Sequence, residues 1–136
     1  MNISATFSPT VMEHFLEPRN TGTLPSSSGE GWSGSREAGR FMRIQVLLDG
    51  DLMVEARFQT YGCAYAIASA SFLTEWIRGR TVDEGLRLDP AELLQALGGV
   101  PAHRRFCAVL AIDALRKALA MATPSRVREA QEEISP

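Results

Sequence analysis

Hydrophobic positions along the chain switch between two periods. Val11, Met12, Phe15 and Leu16 recur at helical spacing behind Ser8 and Pro9. Serine there is an N-cap, and proline suits the first helical position because its φ is fixed and its missing N–H has no partner to lose. A helix from about Pro9 to Glu17 is predicted, stopped by Pro18. The next stretch, Asn20 to Gly34, carries Thr21, Gly22, Pro25, Ser26, Ser27, Ser28, Gly29 and Gly31. It reads as a loop with at most one short strand near its end. From Met42 the period becomes two: Met42, Ile44, Val46 and Leu48 face one way, Arg43 and Gln45 the other, the pattern of a half-buried strand. Asp49-Gly50 suits the positive φ of a tight hairpin turn. Val54, Ala56 and Phe58 then alternate with Glu55, Arg57 and Gln59 in an antiparallel return strand.

Helical spacing resumes after Gly62. Ala64, Ala66, Ala68, Ser69, Ala70 and Ser71 make the first half of a helix, from about Ala64 to Arg78, slender enough to lie close to a sheet. Ile67, Leu73, Trp76 and Ile77 carry its heavier packing, roughly 1.5–3 kcal/mol each if fully buried. Thr81 to Glu84 and Asp89 to Glu92 have capping-box spacing and predict two short helices, the second opened by Pro90 and ended by Gly98-Gly99. A long last helix is predicted from near Arg104 to about Met121, burying Phe106, Val109, Leu110, Ala114 and Leu119 and stopped by Thr123-Pro124. One domain over 1–123 with a polar tail over 124–136 accounts for the chain. A helix, two or three antiparallel strands and three or four helices make an α+β order.

At 136 residues there is room for one core. A formal charge of −2, from 14 basic and 16 acidic residues, offers no electropositive field for phosphate backbones, so nucleic acid is not an expected partner. No stretch approaches the roughly 20 apolar residues of a membrane span. Met1 to Pro9 lacks the basic start and apolar middle of a secretory signal. A cytoplasmic protein without membrane contact is expected, its two cysteines free, metal-bound or reactive rather than a structural disulfide.

Cys63 follows Gly62 at the mouth of the small-residue helix, where unpaired N–H groups and the helix dipole favour a thiolate. A buried cysteine acting as a small hydrophobe suits that position equally well. Cys107 lies in the first turn of the last helix, where the same dipole argument competes with a core role beside Phe106, Val109 and Leu110. The two thiols are far apart in sequence and form no C-x-x-C pair, so spacing alone proposes no metal site. His14 is expected at the surface or half-buried. His103 stands four residues before Cys107, near enough to approach it, although a solvated loop position is the simpler expectation. No phosphate-binding glycine loop, H-E-x-x-H pair or G-x-S-x-G elbow is present. With no acid–base pair beside the thiols, an enzyme is not expected.

Three long strings carry a resemblance. Phe7 to Leu24, FSPTVMEHFLEPRNTGTL, resembles the opening of IscU/NifU-type iron-sulfur cluster scaffolds. Ala56 to Thr81, ARFQTYGCAYAIASASFLTEWIRGRT, is similar to that family's second cysteine loop and following helix, and Val100 to Leu119 to its final cysteine segment and helix. The resemblance implies an α+β fold with an N-terminal helix, a three-stranded antiparallel sheet and helices packed on one face. It also implies a ligand set. Cys63 and Cys107 match the second and third cysteines. The first cysteine and the acid after its glycine correspond to Ala38 and Arg40, and the histidine of the family's His-Cys pair to Phe106. The Leu-Pro-Pro-Val-Lys loop recognised by the family's chaperone is reduced to Val100-Pro101-Ala102-His103-Arg104, so that partnership is not expected to carry over intact.

An iron-sulfur cluster or tetrahedral zinc needs about four soft or borderline ligands, and a cation at position 40 disfavours a metal while favouring thiolate. The first expectation is a divergent scaffold without a stable, complete Fe-S or zinc site, keeping a cysteine that accepts sulfur from a cysteine desulfurase. By resemblance that acceptor is Cys107. A second reading keeps cluster chemistry with substituted ligands, Cys63, Cys107, His103 and Glu37, or with cysteines shared across a homo-oligomer. Glu37 would point away from the neighbouring ligand position if the stretch is extended. A third is a structural or regulatory module that occupies a desulfurase or scaffold surface. Arg40 itself has a bland alternative, turning to solvent or pairing with Glu37.

Overall fold

The computed structural model describes residues 7–123; the tail expected over 124–136 lies outside the described residues. Ser8 caps helix α1 (Pro9–Leu16) by accepting from the Val11 amide, and its hydroxyl donates to the Leu97 carbonyl, tying the start of the chain to a distant helix end. Strands β1 (Gly29–Ser35), β2 (Arg40–Asp49) and β3 (Leu52–Tyr61) form one antiparallel sheet in the order β1-β2-β3. Helices α2 (Ala64–Trp76), α3 (Val82–Arg87), α4 (Pro90–Leu97) and α5 (Phe106–Ala122) follow, with a 3-10 turn (Ala102–Arg104) leading into the last. Thr81 and Glu84 close a full capping box on α3. Asp89 caps α4 and Gly98, at φ 77°, ends it. No helix among the described residues is long and apolar enough to cross a membrane.

The breaker-rich segment corrects the loop expectation, for β1 is a full strand within it. Its glycines are there for a helix and not for a turn. A Cβ on Gly29 would stand 2.2 Å from the Ala118 carbonyl oxygen, and one on Gly31 would stand 2.0 Å from that of Ala114. With no side chains in the seam, α5 lies directly on β1 and β2, while α2 packs against β3 and α5. Met42, Ile44 and Val46 of β2, with Ala56 and Phe58 of β3, fill the buried face.

Alternation puts Val54 on the face of Ala56 and Phe58, yet it is exposed. Leu47 pairs with Glu55 but Leu48 pairs with Met53, so Val54 is the extra residue of a bulge, and the slip turns Met53 inward in its place. Val109 is likewise exposed, on the outer side of α5. The Pro18–Gly22 segment is a clip. Asn20, at φ 65°, accepts from the Phe58 amide through its carbonyl, and the Phe58 carbonyl accepts from Gly22, so Thr21 bridges the open edge of β3.

His14 is buried rather than superficial. Ser71 Oγ lies 2.8 Å and an Arg19 guanidinium nitrogen 3.2 Å from its Nδ1. Two donors on Nδ1 fix the neutral tautomer with the proton on Nε2. Burial first, then the Arg19 charge, hold the pKa of His14 below its ordinary value.

The glycine seam sets the height of α5 above the sheet, and with it the position of everything on that helix's first turn. Gly31→Ala must push backbone against backbone, and we expect a loss of about 1–3 kcal/mol of unfolding free energy. Urea denaturation checks this, and an unchanged midpoint would mean the seam is slack.

Candidate functional site

Three chain segments meet at one end of the sheet. The β1–β2 turn, residues 36–39, is closed by Gly39 donating to the Arg36 carbonyl and by the Ala38 amide donating to Ser35 Oγ. Beside it, β3 ends at Tyr61 and the chain enters α2 through Gly62 and Cys63, its N-cap residue. The first turn of α5 brings Cys107. The two sulfurs stand 3.7 Å apart, and both cysteines are free thiols. They border a cavity of about 90 Å³ whose other walls are Ala38, Gly39, Arg40, Gly62, Ala66, Arg104, Phe106 and Leu110. A larger hollow of about 460 Å³ beside Trp32, Phe41 and Tyr61 holds no thiol, histidine or carboxylate.

The thiols are unequal. Cys63 is half-buried; Cys107 is 1% exposed. Burial pushes the Cys63 thiol up, but the amides of Ala66 and Tyr65, the Cys107 thiol and the Arg104 charge together bring it below its ordinary 9.0. These amides act as the positive end of α2, since none makes a capping bond of full geometry to the sulfur. Burial raises Cys107 to about 12, helped by the Cys63 sulfur and opposed by Arg104 and Arg40. The expectation that Cys107 shares the dipole advantage is therefore corrected. The 3-10 turn runs straight into α5, and the amides of Arg104, Arg105 and Ala108 already donate to carbonyls one turn back.

Of the remaining sequence candidates, Ala38, Arg40 and Phe106 all line the cavity, whereas Glu37 and His103 are exposed and outside its walls. Arg40 is exposed, as its bland alternative had it, but it makes no ion pair with Glu37 among the described residues. Its guanidinium lies 3.9 Å from the Phe106 ring centroid, and no ion pair engages it among the described residues. The four-residue ligand set Cys63, Cys107, His103 and Glu37 is not assembled. Among the described residues no three His, Cys, Asp or Glu side chains are placed to hold a metal ion. Two thiols and two guanidinium groups do not fit a metal or cluster within one chain. Arg104 was missed as a site residue. Its signal was its place three residues before Cys107, which puts both on one side of a helical turn.

The sequence profile of the NifU-like N terminal domain family matches residues 6–128. This chain belongs to that family. It is similar to the iron-sulfur cluster assembly scaffold protein IscU 1 of Archaeoglobus fulgidus, 38% identical over 113 residues, 83% of this chain and 74% of that protein. It is also similar to the scaffold protein IscU of Escherichia coli K12, 35% identical over 118 residues, 84% of this chain and 91% of that protein. The fold matches a crystal structure of the N-terminal part of a NifU-like protein from Brucella abortus at a TM-score of 0.69 and 16% identity, covering 87% of this chain and 94% of that one. The expected architecture of this NifU-like domain, an N-terminal helix, a three-stranded antiparallel sheet and helices on one face, is the one observed.

The inequality of the thiols is measurable. Thiolate is the species that alkylates, so the rate at Cys63 rises with pH through a midpoint below 9.0, while Cys107 stays unmodified until the pH approaches its own value of about 12. Iodoacetamide labelling followed by peptide mass spectrometry checks this. Equal labelling of both cysteines at pH 8 would contradict the arrangement.

Proposed function

We propose that this NifU-like domain is a divergent scaffold relative that handles sulfur without assembling a cluster on its own side chains, and that Cys63 accepts sulfane sulfur from a cysteine desulfurase. The observation that carries this reading is the contact between Arg40 and Phe106, 3.9 Å from guanidinium to ring centroid, at the wall of the cavity both thiols share. By resemblance these are the positions of an acid and a histidine. Two groups that favour a metal are replaced by two that bind each other. A cation–π contact of this kind contributes about 0.5–1 kcal/mol at an exposed site, and it lays the Arg40 guanidinium over the Phe106 ring at the cavity wall.

Anionic sulfur suits such a site. In the transfer, the Cys63 thiolate attacks the terminal sulfur of a persulfide on the donor's cysteine. A new S–S bond forms on Cys63, the donor's S–S bond breaks, and the donor cysteine leaves as a thiolate. Cys63 rather than Cys107 is assigned this role because it alone presents a sulfur to a partner; the neighbouring burial of Cys107 closes it to intermolecular attack. The step needs no general acid or base beyond the Cys63 thiolate itself, and in it the chain acts as a sulfur acceptor. A cytoplasmic setting fits two free thiols, and the scaffold names of the archaeal and bacterial relatives support placement in iron-sulfur assembly. No chaperone contact is proposed for residues 100–104.

Transfer of radiolabelled sulfur from cysteine through a cysteine desulfurase tests the assignment. Label is expected on Cys63 of the Cys107→Ala variant and absent from Cys63→Ser. Label held by Cys107 in Cys63→Ser would overturn the assignment to Cys63, and label on neither variant would overturn the acceptor reading.

A further inference from the structure

Sulfur accepted on Cys63 has a second thiol waiting behind it. Resting on the acceptor reading above, we infer that Cys107 is the resolving thiol of this site: it attacks the Cys63 persulfide, forms a transient Cys63–Cys107 disulfide and releases the accepted sulfur as hydrogen sulfide. The placement is what argues for it. The two sulfurs are already 3.7 Å apart, so reaching the roughly 2.05 Å of a disulfide asks for an approach of less than about 2 Å, and Cys63 is the half-buried, reachable partner. Cys107 is 1% exposed, so no outside thiol reaches it directly, and the group within its reach is the Cys63 sulfur.

The step balances without any further reagent. The Cys107 sulfur bonds to the inner sulfur of the persulfide, which is Cys63 Sγ. The bond from Cys63 Sγ to the terminal sulfur breaks, and the terminal sulfur departs with that electron pair and the Cys107 proton. The terminal sulfur is reduced and the Cys107 thiol is oxidised. The departing hydrosulfide leaves past Arg40 and Arg104, which line the same cavity and neither of which has a carboxylate partner among the described residues. Fixed cations beside a leaving anion favour its departure. A dithiol reductant restores the site by exchange at Cys63, the accessible sulfur of the disulfide. The chain thus delivers free sulfide and consumes two electrons from a dithiol in each cycle.

The test treats the whole chain anaerobically with one equivalent of glutathione persulfide, removes small molecules and reads intact mass, the cysteine linkage and released sulfide. The expected result is a Cys63–Cys107 disulfide in the wild type with an equal amount of hydrogen sulfide released. In Cys107→Ala the expected result is one added sulfur atom retained on Cys63 and sulfide release lost. If the wild type instead keeps a stable persulfide on either cysteine, with no disulfide, while Cys107→Ala loads normally, the resolving role is overturned and the acceptor reading stands. If Cys107→Ala takes up no sulfur, or takes up glutathione in its place, the acceptor reading itself fails. Should the alanine variant fold poorly, Cys107→Ser replaces it, and the wild-type measurement of disulfide against sulfide needs no variant.

Discussion

The contact between Arg40 and Phe106 fixes the charge at the wall that the two thiols share. A guanidinium cannot be deprotonated in a protein, so the cavity carries a permanent positive charge at the wall its two sulfurs share. A fixed cation at a cavity wall repels any metal cation that enters the cavity. Arg40 is exposed, and solvent screening leaves only part of this repulsion. Arg104 adds a second charge of the same sign, and the sign does not change. The proposed sulfur chemistry matches that sign, because a cation beside sulfur favours thiolate, persulfide and hydrosulfide.

That chemistry is assembled by packing set far from it. Gly29 and Gly31 let α5 down onto β1, and the first turn of α5 then lands beside the β1–β2 turn and the Gly62–Cys63 junction. Because β1 and α5 run against each other, the seam and the site lie at successive points along one helix. A change in the seam is therefore felt at the sulfurs. The clip from Pro18 to Gly22 does the corresponding work on the other side, holding the edge of β3 and the buried His14 against α2.

What could be read in advance follows the range of the forces involved. The caps at Ser8, Thr81 and Asp89 are local and stand where their neighbours in sequence require; the hairpin turn falls one residue later than the Asp49-Gly50 signal, on Gly50 and Asp51, because Asp49 still pairs with Leu52. β1 was hidden because its glycines answer to a helix some 85 residues later. Val54 was misplaced because strict alternation has no room for one extra residue in a bulge. The burial of His14 depends on Ser71, and the loss of any dipole advantage at Cys107 on the way a 3-10 turn enters α5, neither of which leaves a mark in local spacing. At the site, Cys63 and Cys107 were marked by their places at helix starts and Ala38, Arg40 and Phe106 through resemblance, and all five do converge. The approach of the sulfurs to one another, the stacking of Arg40 on Phe106 and the part of Arg104 are tertiary facts.

Anaerobic reconstitution with ferrous iron and sulfide, read after desalting by sulfur-to-iron charge-transfer absorption, compares the native chain with an Ala38→Cys/Arg40→Asp variant. The native chain should show no such band, and the variant, with a third thiolate and a carboxylate in place of the cation, should gain one. A stable band in the native monomer that disappears in Cys63→Ser would contradict the claim that this site excludes a cluster.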